Sequence, residues 1–126
     1  MKPIKPKDSK IWRDSYYHRL LGLKAAKEVE RVIPIFEKEC PGDIRPRKAV
    51  EAIRTWAEGK RELGMAEVRK LSLDAHSAAR KARSEAAKYV AHAAGHAVAT
   101  WHVPTHALGA FGYAGRAFIA HKMKGN

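Results

Sequence analysis

The stretch AGHAVATWHVPTHALGAFGYAG, residues 94–115, packs three histidines, a tryptophan and a proline into a run without one formal charge. It sits inside a longer interval, between Lys88 and Arg116, where 27 residues pass with no Asp, Glu, Lys or Arg. That length raises the question of a membrane span. Four histidines, two threonines, a central proline and many weakly apolar alanines argue against one. Two inner helices of a bundle, covered on most sides, would also lose their charged faces. On that reading Val90, Ala94, Ala97, Val98 and Trp101 share one side of a helix that starts at Ser84 and Glu85 and runs to about Trp101. Pro104 stands at the first turn of a last helix, running to about Met123, along which Leu108, Phe111, Gly115 and Phe118 share a side. Glycine inside a helix costs about 1 kcal/mol relative to alanine. Gly109, Gly112 and Gly115 therefore point to a neighbouring backbone packed closely here, with a ligand crevice as the alternative.

Outward from this hairpin the pattern stays helical. Residues 10–39 place Trp12, Tyr16, Leu20 and Leu23, then Val29, Val32, Ile33 and Phe36, at helical spacing, with Gly22 and Pro34 as candidate breaks. Cys40-Pro41-Gly42-Asp43 is a turn. Arg45-Pro46 opens a second helix, capped by Asp43 or nearby backbone, whose apolar stripe is Ala49, Val50, Ile53, Trp56 and Ala57. Residues 64–82 carry Val68, Leu71, Ala75 and Ala79 on one face. Nothing alternates with period two for long enough to make a strand. The expected fold is all-α: a single-domain helical bundle of about five to six helices over residues 10–123. A buried Ala/Gly/His-rich C-terminal helical hairpin closes it, and a flexible basic arm at residues 1–9 precedes it.

A chain of 126 residues can bury roughly two-thirds of its unfolded surface without a metal or disulfide staple. The single cysteine, Cys40, excludes an internal disulfide and a Cys-rich zinc site, and fits a reducing cytoplasm. The N-terminus MKPIKPKDSK lacks the apolar core of a signal peptide. Formal charge is +12, from 25 Lys+Arg against 13 Asp+Glu, and residues 76–126 contain Glu85 as their only acid. Such a balance attracts nucleic acid, anionic membrane or an acidic protein, and charge alone does not rank the three. Simple solubility is the plainer account of the same bases.

Motifs for catalysis are sparse. No GxSxG, P-loop or dinucleotide glycine pattern occurs. On a helix Ser72 and His76 align while Asp74 points away, so they make no triad. Cys40 becomes a nucleophile only where folded neighbours lower its pKa. His92 and His96 are four apart, as are His102 and His106, but zinc wants three or four ligands. The Glu of a His-Glu-x-x-His motif is missing, and no carboxylate follows Glu85. Hydrogen-bonded structural imidazoles are the first expectation, with no metal and no cofactor. A metal- or ligand-binding domain using His96, His102 and His106 is the weaker alternative.

Three pieces taken together, FEKECPGDIRPRKAVEAIRTWAEG (36–59), AHSAARKA (75–82) and AGHAVATWHVPTHALGAFGYA (94–114), resemble the immunity-protein-5-like family of polymorphic toxin systems. The resemblance runs from about residue 10 to 122. It is carried by Asp43-x-Arg45-Pro46-x-x-Ala49-x-Glu51-Ala52, Trp56, His76, and the run from Gly95 to His106 with Ala107 and Gly109. It implies a small, all-helical, non-enzymatic protein that binds and neutralises a cognate toxin. Immunity proteins against nucleases are often acidic. This chain is strongly basic, so the implied partner presents an acidic or mixed surface.

If the motif residues form a binding pocket, it lies where Asp43, Arg45, Arg47 and Glu51 meet His76, His96, His102 and His106. Arg45 would supply a forked donor and the histidines a protonation-sensitive wall. The plainer reading pairs Arg45 with Asp43 or Glu51 to fix a helix start. A binding module also predicts an exposed patch of aromatics and arginine, including Trp12, Tyr16 and Tyr17. The alternative class is a nucleic-acid-binding protein, using Lys2, Lys5, Lys7 and Lys10 on the arm and Arg80, Lys81, Arg83 and Lys88 near the third-to-fourth helix junction. A homo-oligomer and a monomer both stay open.

Overall fold

The computed structural model describes residues 15–124. The basic arm, with Lys2, Lys5, Lys7 and Lys10, and also Trp12, lies outside the described residues. Five helices follow: α1 (Tyr16–Glu39), α2 (Arg45–Ala57), α3 (Met65–Lys81), α4 (Glu85–Ala99) and α5 (His106–Lys124). There is no strand among the described residues, and the protein is an all-α single-domain bundle.

Local chemistry sets the helix starts. Ser15 accepts the backbone N–H of His18 at the head of α1, and Ser84 accepts that of Ala87 at the head of α4. Asp43 accepts the N–H of Arg45 at 3.1 Å, just ahead of Pro46 in the first turn of α2. Neither Gly22 nor Pro34 breaks α1. Gly22 is buried where a Cβ would come within 3.1 Å of the Trp56 ring, and Pro34 sits on the exposed side. The first stripe predicted for α1 is displaced. His18, Gly22, Ala25, Ala26 and Val29 face inward, while Tyr16 is 73% exposed. The close crossing with α2 demands small residues at those positions, and Trp56 fills the space they leave.

Helix α4 is the hub, packing against all four others. Nine of its fifteen residues are buried, which explains why the sequence carries no charge there after Lys88. Around it α5 meets α1, α1 meets α2 and α2 meets α3, but the backbones of α3 and α5 stay apart. Val29, Ile33 and Phe36 of α1 and Val50, Ile53 and Trp56 of α2 fill the larger part of the core. Burying each such side chain contributes about 1.5–3 kcal/mol.

Helix α5 differs from its hairpin partner. Its inward stripe is alanine: Ala107, Ala110, Ala114 and Ala117. Of the side shared by Leu108, Phe111, Gly115 and Phe118, Phe111 packs half-buried against the core, while Leu108 is 67% and Phe118 53% exposed. Ile119 and Met123 extend it. Of the five helices described, α4 alone is an inner helix. Alanine lets α5 approach α4 and α1 closely, and the bulky residues are left on the outside.

Candidate functional site

The space over α4 that α3 and α5 leave between them is filled by rings. His76 of α3 meets His92 of α4 through their Nδ1 atoms at 2.7 Å. His96 of α4 meets His106 of α5 in the same way at 3.2 Å. The two pairs join where His76 stands edge-on to His96, ring centroids 5.3 Å apart. Tyr113 of α5 stacks on His96 at 5.3 Å and lies 5.4 Å from His92. Two glycines make room for this seam. A Cβ on Gly95 would lie 2.6 Å from the His76 ring, and one on Gly109 would lie 2.7 Å from that of His96. The close approach read from Gly109 is real, but the neighbour is an imidazole rather than a backbone. Gly112 and Gly115 have nothing within 4 Å of such a Cβ.

The electrostatics favour neutral rings. Burial pushes His76 down to about 4, helped by the neighbouring His92 and His96 and by Arg80. Burial also lowers His92, His96 and His106, with further depression from Arg80 at His92 and from neighbouring imidazoles at the other two. In each pair one Nδ1 donates and the other accepts, so two protonated rings cannot keep the bond. Among the described residues no group of three or more His, Cys, Asp or Glu is placed to hold a metal ion. His102 stands apart from the seam. It is exposed, beside the hollow lined by Met65, Val68, Arg69 and Ser72, because the apolar Trp101 next to it takes the inward position.

The charged residues of the motif are satisfied locally. Arg45 Nε and Nη2 donate to the two Asp43 oxygens at 2.9 and 2.7 Å, and this guanidinium holds the Asp43 carboxyl below the usual carboxylate range. Arg47 makes the same fork with Glu37 of α1, at 2.9 and 2.6 Å, and lowers its pKa in turn. Glu51 is exposed beside a hollow shared with Lys48, Thr55 and Arg61. The single pocket expected from all eight residues is thus divided. His76, His96 and His106 come together, joined by His92. Asp43 and Arg45 pair across the start of α2, Arg47 binds α1, and Glu51 and His102 point to other hollows. Arg45 has a carboxylate two residues away and Arg47 has one on the facing α1, and a forked charge-assisted bond to each outcompetes a longer reach to neutral imidazoles.

Other sequence candidates resolve similarly. Ser72 donates to the Gly95 carbonyl at 3.1 Å, and Asp74 accepts from Lys70. The Cys40 thiol is pushed up by burial and by the nearby Glu39 and Asp43 carboxylates, the direction opposite to activation. Arg80, Lys81 and Arg83 are exposed, and Lys88 is half-buried. The pocket expected from the sequence left out two histidines, His92 and His18. His92 had a visible signal, four residues before His96. His18 had none: it is buried beside Trp56, where its Nε2 donates to the Thr100 carbonyl at 2.6 Å and ties α1 to the end of α4.

No helix among the described residues is long and apolar enough to cross a membrane. No curated protein and no solved structure matches the chain. A family model described as Imm-5 like putative immunity protein matches residues 14–125, a span that takes in the Asp43–Arg45 fork, the whole histidine seam and all five helices. The chain belongs to the Imm-5 like immunity protein family.

Proposed function

We propose that this protein is a non-catalytic binder that neutralises a cognate toxin by direct protein–protein contact, with the toxin presenting an acidic or mixed surface. Family membership supports the class of activity. The observation that carries the reading is the outer side of α5, where Leu108, Phe118, Ile119 and Met123 are all more than half exposed on one helix. Apolar surface gathered on one face marks an interaction site more often than a solvated one. Tyr16 and Tyr17, edge-on to each other with centroids 5.6 Å apart, add an exposed aromatic pair of the kind that anchors interfaces. The seam of histidines, on this reading, holds α3, α4 and α5 together and is not itself the binding surface. The test is co-expression with the protein encoded by the adjacent gene. Rescue of growth, and recovery of the two chains as one complex, are expected. Growth arrest in the presence of the wild-type chain would refute the reading.

A second reading rests on Arg80, Lys81, Arg83 and Lys88. None of these four bases has an ion pair among the described residues, whereas Arg45, Arg47, Arg54 and Arg61 all do. Unpaired bases clustered at one helix junction suit phosphate contacts. Binding to mixed-sequence DNA or RNA that weakens steeply with salt would favour this reading, and no binding at low salt would end it.

A further inference from the structure

Helices α1 and α5 run side by side in the same direction, and a groove lies between them. Lys24, Lys27 and Glu28 share one hollow of about 310 Å³ with Phe111, and Arg31 and Val32 share the next, of about 360 Å³, with Gly115 and Phe118. The floor, with Phe111, Ala114 and Val32, is apolar and notched, since a Cβ on Gly115 would meet nothing. The rim is basic. Lys24, Lys27 and Arg31 are exposed on the α1 side, and Lys122 lies over the Phe118 ring at 5.7 Å on the α5 side. The one acid of the rim, Glu28, is approached by Arg31 at 3.7 Å.

Resting on the toxin-binding reading, we infer that this groove is the docking surface, and that its occupant is an acidic amphipathic helix of the protein partner. Concavity decides the shape. An apolar ridge of a helix fills a groove between two helices, as in helix-in-groove recognition, whereas a flat bilayer surface does not. Charge decides the chemistry. Glu or Asp flanking the partner's apolar stripe would face Lys24, Lys27, Arg31 and Lys122, which steers encounter and rejects basic partners. A second copy of this chain is disfavoured by the same charges, because pairing would set two basic rims and two chains of charge +12 against each other.

The test uses the full chain and two synthetic helical peptides with one shared Leu/Ile stripe, flanked by Glu in one and by Lys in the other. Fluorescence anisotropy should show the Glu peptide binding at least about ten-fold more tightly than the Lys peptide. Phe118→Asp, and Lys27→Glu combined with Arg31→Glu, should each weaken it about ten-fold or more. All three positions are exposed, so circular dichroism should show both variants folded. Equal binding of the two peptides, no binding of either, or unchanged binding by Phe118→Asp would overturn the inference. So would a dimer in light scattering that Phe118→Asp dissolves, or sedimentation with phosphatidylserine vesicles that the Glu peptide does not displace. The growth-rescue assay keeps the two readings apart. Rescue by wild type and equally by Phe118→Asp removes this groove but leaves toxin neutralisation standing. Glu-peptide binding without rescue does the reverse.

Discussion

Gly109 and Gly112 are three residues apart on one helix. A methyl group added to the first would come within 2.7 Å of the His96 ring, and one added to the second would meet nothing within 4 Å. The side of α5 that faces the seam is defined by what presses on it. Its outer side is defined by what the chain leaves off. On the inner side glycine is a packing requirement, because imidazoles fill the gap that α3 and α5 cannot close themselves. On the outer side the same residue type carries no internal constraint, and large apolar neighbours flank an unfilled notch.

The largest expected effect breaks the inner side. Gly109→Ala should destabilise the protein by about 2–3 kcal/mol in chemical denaturation, because the methyl meets His96 Cγ, which lies too near its own backbone to swing away. Gly95→Ala should cost about 1–2 kcal/mol, since it meets the outer edge of the His76 ring, which can turn aside by giving up its bond to His92. Equal stability of both variants with wild type would mean that the seam is not tightly packed.

The second test uses pH. The seam histidines are held below their ordinary 6.5 in the folded chain, so below that pH the unfolded chain takes up protons that the folded chain refuses. Their contribution is fully present above about pH 6.5, is lost progressively as pH falls, and for His76 levels off near 4. Thermal melts between pH 7.5 and 4 should show that decline, and His76→Asn should flatten it. A variant curve parallel to that of wild type would remove His76 as its source.

The third sharpens the separation of the seam from the motif at the start of α2. Asp43→Ala loses a half-exposed fork and the acceptor for the Arg45 N–H, and should cost about 1 kcal/mol. The NMR titration of His76 and His92 should be unchanged; movement of their resonances would mean that the two regions are one site. The smallest effect has the opposite sign. Gly112→Ala and Gly115→Ala should each stabilise the chain by up to about 1 kcal/mol, since alanine is the better helix former at an open position. Destabilisation there would show that the outer side is packed after all.

Much of this fold is legible along the chain. The uncharged interval predicts two inner helices, of which α4 is one and α5 is not; Asp43-x-Arg45-Pro46 predicts a helix start, and Ser84 with Glu85 predicts another, each from chemistry within a few residues. The candidate site is only partly legible. Histidines spaced by four suggested partners within α4 and along the α4–α5 turn. The bonds that form are between helices, His76 with His92 and His96 with His106. Spacing shows which residues share a face, not which face meets which neighbour.

Helix content, helix boundaries and the absence of charge around α4 follow from the order of residues, because backbone hydrogen bonding, capping and apolar periodicity are short-range. Which side of α5 turns inward does not. Both its alanine stripe and its Leu/Phe side are apolar, and a rule that buries the larger residues chooses the wrong one. The choice depends on how closely α5 can approach α4 and α1, a distance fixed by small residues on three helices at once, and only the folded chain brings those together.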